Sequence, residues 1–191
     1  SNSVQIKVVV PKGKYRIDKL LEIYSNTWLY LEDGATIVRN FDKGCMIKNA
    51  QANGAGGYGS ERNIVIEGGC WDGNPSSTSR PFSNMRFGHM KNLWIKNVEI
   101  KNNYNGHHVE IGGVKGITIE DCDFHGYTGT FQKEAIQLDT ISNSDVFPAY
   151  EPFDDTPCDN AVIKNNKFHD LIRGLGSHSA CLGVYYTNTL I

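Results

Sequence analysis

The chain has no long apolar run. No stretch approaches the roughly 20 residues that a helix needs to cross a bilayer, so no membrane span is expected. It has no dominant charge either: 19 basic residues stand against 21 acidic ones, for a net charge of -2. That balance removes the electrostatic case for nucleic acid or an anionic membrane as partner. The five cysteines (Cys45, Cys70, Cys122, Cys158, Cys181) are odd in number and show no CxxC spacing, which argues against a metal ribbon and against a complete disulfide framework. They are expected to serve as small buried hydrophobes. Proline is sparse, at six residues against 20 glycines, and long amphipathic helix patterns are missing, so a turn-rich all-β chain is expected. No leader is visible, because Ser1-Asn2-Ser3 runs straight into Val4–Val10. The native protein is expected to be secreted or displayed at the cell surface, with its leader outside this sequence.

What is present is repetition. Asn63-Ile-Val-Ile-Glu-Gly-Gly-Cys-Trp-Asp-Gly73, Asn92-Leu-Trp-Ile-Lys-Asn-Val-Glu-Ile-Lys-Asn102, Gly116-Ile-Thr-Ile-Glu-Asp-Cys-Asp-Phe-His-Gly126 and Asn160-Ala-Val-Ile-Lys-Asn-Asn-Lys-Phe-His-Asp170 share one pattern. A fifth copy opens at Asn188 and stops at Ile191. The steps between copies are 29, 24, 44 and 28 residues. Three of them match one turn of a β-solenoid. The long step contains residues 140–159, rich in proline and acid, which read as an inserted loop. A loop of that length in a compact domain is usually functional or disordered.

Alternation sets the faces, since successive strand side chains point to opposite sides. Ile64/Ile66, Leu93/Ile95, Ile117/Ile119 and Ala161/Ile163 are expected to point inward, as are Trp71, Ile100, Phe124 and Phe168. Asn97, Asp121 and Asn165, with Gly68 in the first copy, share a corner that suits left-handed backbone. Stacking would line them up as an internal ladder. A second strand lies between copies: Met85-Arg-Phe87, Val109-Glu-Ile111, Ile136-Gln-Leu138 and Leu182-Gly-Val184. Its middle residues Arg86, Glu110, Gln137 and Gly183 face out on successive coils, about 4.8 Å apart. His108 and Gly112 flank Glu110 on that outward face, and Ala135 and Asp139 flank Gln137. The amino-terminal third supplies Val8–Ile17 and Thr27–Val38 as strand–turn–strand units and Cys45–Ala50 as a further strand. Gln51–Gly59 and Asn74–Pro81 read as loops.

Val10-Pro-Lys-Gly-Lys-Tyr-Arg-Ile17, then Ser25-Asn-Thr-Trp-Leu-Tyr-Leu-Glu-Asp-Gly-Ala-Thr-Ile37, then Asn63–Asn74, resemble the early coils of the pectate-lyase-like superfamily. That group holds polygalacturonases, pectate lyases, alginate epimerases and phage tailspikes. The resemblance implies a right-handed single-stranded parallel β-helix over residues 1–191, with early coils at 1–60 and regular repeats from 61. Because Leu190-Ile191 ends inside a strand and solenoids need caps, the native protein is expected to continue past Ile191. The polygalacturonase motifs are not intact: Leu138-Asp139-Thr140 carries one acid, and Gly176-Ser-His-Ser179 replaces Gly-His-Gly. Gly106–Ile111, Glu134–Asp139 and Arg173–His178 look more like a set of bacterial secreted β-helix proteins.

Glu110 and Asp139 are the first catalytic candidates. Register puts them on adjacent coils, offset by two residues, with carboxylates on the order of 5 to 9 Å apart. That range spans retaining and inverting glycosidases. His178 and Arg173 are the second pair, in a stretch whose two glycines bracket Leu175 and so read as a shaped loop, where sites tend to lie. Arg173 would fork onto a uronate carboxylate or sulfate, and His178 would move a proton, as a hydrolase or a lyase requires. His108, Gln137, Glu134 and Arg86 are expected to hold sugar hydroxyls or to pair with the acids. Tyr104, Tyr127, Phe131, Tyr150, Phe153 and Tyr185 offer aromatic walls to sugar rings. No recognised zinc spacing surrounds His107-His108. Asp154-Asp155 and Asp121/Asp123 fit no calcium-loop signature, so no cofactor is expected and calcium is the ion to consider. The sequence thus points to a glycoside hydrolase or polysaccharide lyase acting on an extracellular acidic or complex glycan. Against it stand a non-catalytic glycan-binding β-helix, adhesin or fibre, and a purely structural spacer. The spacer would be favoured if the outward patch proved salt-bridged or covered.

Overall fold

A computed structural model describes residues 5–51, 54–177 and 187–191. Among the described residues the structure is all-β apart from a 3-10 turn at Pro75–Ser77. The first coil contributes β1 (Ile6–Val10), β2 (Gly13–Ile17) and β3 (Leu21–Ile23). The second contributes β4 (Thr27–Leu31), β5 (Ala35–Arg39) and β6 (Ile47–Asn49). There follow β7 (Arg62–Glu67), β8 (Cys70–Asp72), β9 (Met85–Lys96), β10 (Glu99–Tyr104) and β11 (Val109–Glu120). The last are β12 (Asp123–Thr128), β13 (Glu134–Asp139), β14 (Asp159–Lys164), β15 (Lys167–His169), β16 (Arg173–Gly176) and β17 (Thr187–Leu190).

Every pairing between these strands is parallel and joins one repeat to the next. Among the described residues, one sheet has six strands in the order β2-β5-β8-β10-β12-β15. The other has eleven and is really two ladders. β9 and β11 are long strands that turn a corner: their first halves pair with β6 and β13, their second halves with β7 and β14. Three ladders therefore enclose the interior, consistent with a β-solenoid.

The register of the repeats follows the sequence pattern. Ile64, Leu93, Ile117 and Ala161 stack in one column and are buried, as are Ile66, Ile95, Ile119 and Ile163. Trp71, Ile100 and Phe124 form the second column. Phe168 continues it, stacked on Phe124 at 5.2 Å, yet stays 37% exposed. The corner residues Gly68, Asn97, Asp121 and Asn165 all take positive φ. Asn97, Asp121 and Asn165 face solvent, however, so the internal ladder expected there is not found. A ladder forms at the repeat starts instead. Asn63 Nδ2 donates to Asn26 Oδ1 at 2.9 Å, and Asn92 Nδ2 donates to Asn63 Oδ1 at 2.8 Å. All of these, with Asn160 and Asn188, also have positive φ. Asparagine tolerates that backbone and its amide can bond the same residue one coil away.

Cys45, Cys70, Cys122 and Cys158 are free and buried, as their small apolar role requires. Cys181 lies outside the described residues. The fourth member of the second-strand series needs correction. Arg173–Gly176, not Leu182–Val184, is the strand that follows β13, pairing Ile136 with Leu175 and Gln137 with Gly176. Residues 182–184 lie outside the described residues.

Candidate functional site

The outward face of the ladder β6–β9–β11–β13–β16 carries the candidate residues. Register places Lys48, Arg86, Glu110, Gln137 and Gly176 in one row, and Gly88, Gly112 and Asp139 in the next. The expected row is therefore present, but it is not open. Residues 140–158 fold back over it. Ile141, Phe147 and Tyr150 form a second apolar cluster, joined by Phe153. The two glycines make room for it. A Cβ at Gly88 would stand 2.5 Å from the Tyr150 ring, and one at Gly112 would stand 3.0 Å from Ile141 and Phe147. The Tyr150 hydroxyl lies 2.9 Å from Arg86 O. Tyr150, expected as an aromatic wall for sugar, is instead fully buried.

Under this cover the acids are paired. Glu110 Oε2 accepts from Ser83 Oγ at 2.7 Å and from Arg86 Nε at 2.8 Å, with Arg86 Nη2 at 2.7 Å. Burial alone would raise the Glu110 pKa, but Arg86, His107 and Ser83 outweigh it and hold the carboxyl below its ordinary range. A general acid needs the opposite shift. Asp139 is fully buried, and its Oδ1 accepts from Gln137 Nε2 at 2.7 Å. Glu134 Oε1 accepts from Arg173 Nη1 at 3.1 Å, and Arg173 Nη2 donates to Gln132 Oε1 at 2.7 Å. Arg173 thus begins a strand rather than sitting in a shaped loop, and its guanidinium already holds a carboxylate. His178 lies outside the described residues.

His108 corrects the alternation rule. It points inward, against Phe124 in a perpendicular contact at 6.2 Å, and its Nε2 lies 2.9 Å from His125 O. The Gly106–His107 corner precedes β11, so strict alternation begins only at Val109. Burial pushes the His108 imidazole down to about 4. His107 takes the outward place instead. Its Nδ1 lies 2.8 Å from Glu134 O, and burial lowers its pKa too.

Beside the covered row an open groove of about 700 Å³ remains. Arg86, His107 and Glu110 form its floor, the 130–133 turn one wall, and Asp145, Val146 and Pro148 of the inserted loop the other. Asn105 Oδ1 fixes the turn by accepting from Thr130 N at 2.8 Å and Phe131 N at 2.9 Å. Phe131 is 52% exposed there. The structure therefore brings Arg86 and Glu110 to the groove. It buries Asp139 and Gln137 behind the insertion, and pairs Glu134 with Arg173. The sequence reading missed Ser83, Lys133 and Asp145 as lining residues, because the turn and the insertion that carry them lie outside the repeats.

No protein-family model matches the chain. The chain is 26% identical over 207 aligned positions to the plasmin and fibronectin-binding protein A of Streptococcus pneumoniae, covering 90% of this chain and 28% of that one. It is similar in structure to the S. pneumoniae surface protein and adhesin PfbA, with a TM-score of 0.82 at 22% identity over 96% of this chain and 51% of the other. It is also similar to a candidate glycosyl hydrolase from Parabacteroides merdae, with a TM-score of 0.65 at 15% identity over 97% of this chain and 82% of the other. At these identities the solved structures speak for an all-β fold of parallel sheets. The chain spans just over a quarter of the length of the curated relative it matches and about half of the solved adhesin chain.

Proposed function

We propose that this chain is a segment of a cell-surface adhesin, a right-handed parallel β-helix that binds a host macromolecule along the groove and does no chemistry on it. The observation that carries this reading is the state of Glu110. It is the one of the two candidate catalytic carboxylates at the groove, and Arg86 and Ser83 hold it as a buried anion. Hydrolysis of a glycosidic bond needs one carboxyl that can give up a proton and a second that can attack or activate water. Asp139, the intended second carboxyl, is sealed behind residues 140–158. The outward patch is both salt-bridged and covered, which by itself suits a structural spacer, but the open groove beside it, with exposed Phe131 next to Lys133, Gln132 and Asp145, has the composition of a recognition surface. Similarity to a surface adhesin named for plasmin and fibronectin supports the same reading. Right-handed winding agrees with the strong preference of parallel crossovers.

The test is binding with turnover measured in the same samples. The chain is passed over immobilised fibronectin, plasmin and an acidic-glycan panel, while supernatants are assayed for reducing ends and for the ultraviolet absorbance of unsaturated sugars. Saturable retention, weakened by Phe131→Ala and without product, is expected. Product release that disappears in Glu110→Gln would instead establish the hydrolase or lyase reading.

A further inference from the structure

Two repeat copies carry histidine at the same place: Phe124-His125-Gly126 and Phe168-His169-Asp170. The parallel register of β12 and β15 sets His125 opposite His169. The two imidazoles stack with centroids 4.7 Å apart and planes within 9°. Asp123 lies two residues before His125, so the strand's period of two puts both on one face. Its Oδ1 is 3.0 Å from His169 Nε2. One ligand atom from each of Asp123, His125 and His169 lies within 4.8 Å of the others.

Two more carboxylates stand behind these imidazoles. Asp170 Oδ2 accepts from His169 Nδ1 at 2.9 Å, which leaves Nε2 facing Asp123. Glu99 Oε1 lies 3.0 Å from His125 Nε2 and also accepts from Lys101 Nζ at 2.8 Å. A carboxylate that holds one nitrogen of a histidine and turns the other toward an ion is the usual support of a bound metal.

We infer that Asp123, His125 and His169 form a binding site for a divalent transition-metal ion of the zinc class, clasping two neighbouring coils. Two of the three donors are imidazole nitrogens, which suit zinc, copper or nickel better than calcium or magnesium. The open side leaves room for water. Asp170 acts as a positioning residue, holding His169 Nδ1 while Nε2 faces Asp123. The site stands on the six-stranded sheet, whereas the groove lies on the other sheet, so it does not rest on the binding reading. The competing arrangement is a metal-free cluster in which a protonated His169 pairs with Asp123 and Asp170.

Isothermal titration of the chain with zinc chloride in a non-chelating buffer decides between them. The inference expects a single saturable equivalent, a rise in Tm with zinc, and loss of both in His169→Gln. Asp170→Asn should weaken zinc binding about tenfold, as loss of an outer carboxylate does. His169 is half exposed, so its variant should fold, which circular dichroism checks. Absence of saturable heat would overturn the site. So would heat and Tm shift that persist in a His125→Gln/His169→Gln double variant.

Discussion

Two faces of this molecule are built from the same long strands and differ in what lies on them. On the first half of β9 and β11 the outward row is Arg86 and Glu110, followed by Gly88 and Gly112, and the inserted loop covers it. On the second half the outward rows are Trp94 and Thr118, then Lys96 and Glu120, and nothing among the described residues folds over them as the insertion does. There Lys96 pairs with Glu67 at 3.2 Å and Lys164 with Glu120 at 3.0 Å, a ladder of alternating charge that water can reach. The repeat dictates which side chains face out. Glycine in the outward row dictates which face a loop can settle on. Burial then decides whether an acid is a surface ornament or a charge that must be neutralised.

The contrast can be broken most severely at Arg86. Removing one partner of a buried ion pair costs about 3 to 5 kcal/mol, because the other charge is left stranded. Arg86→Met should therefore lower urea stability by that order, and adding Glu110→Gln should recover part of it. An Arg86→Met chain as stable as the parent would mean that the covered face behaves like the open one.

A pH series sharpens the same point on the buried side. In the unfolded chain His108 takes up a proton near 6.5, and in the fold only near 4. Between these values the unfolded state binds more protons, so the His108 contribution is complete above pH 6.5 and declines as pH falls toward 4. The loss is on the order of 3 kcal/mol. Denaturation midpoints of the parent and of His108→Phe should converge at acid pH. Parallel curves would show that His108 is not buried neutral.

Filling the glycine row comes next. Gly88→Val drives a side chain into the Tyr150 ring and should cost about 1 to 3 kcal/mol, the usual range for overpacking. It should also loosen residues 140–158, seen as faster amide exchange there with little change in β14. The smallest effect belongs to the open ladder. Lys164→Ala should change stability by about 0.2 to 1 kcal/mol, and less in high salt.

Much of this was legible in the sequence because the repeat is a local signal. Asn63, Asn92, Gly116, Asn160 and Asn188 gave the register to the residue, and β14–β17 pairing confirms the last step. The triplets at Arg86, Glu110 and Gln137 also aligned correctly. What was not legible depends on contacts between distant segments. Nothing in Phe147-Pro-Ala-Tyr150 says that it lies on Gly88 and Gly112, although two glycines in one outward row were a hint. His108 was misplaced because alternation was carried back through a corner. Arg173 was placed in a loop because its two glycines suggest one, yet glycine also serves where β16 passes close to Glu134. His125 and His169 were visible as a repeated Phe-His step, but ligand spacing along one strand does not show that stacked coils bring them beside Asp123.

Glu110 as a structural anion is the feature that separates a binding groove from a catalytic one. Its side-chain carbonyl carbon can be followed by carbon NMR through a pH titration, with Glu110→Gln to assign the resonance. A midpoint below the ordinary value of 4.5 is expected, because Arg86, His107 and Ser83 hold the charged form against burial. A midpoint near 6 or above, the range of a catalytic proton donor, would contradict it.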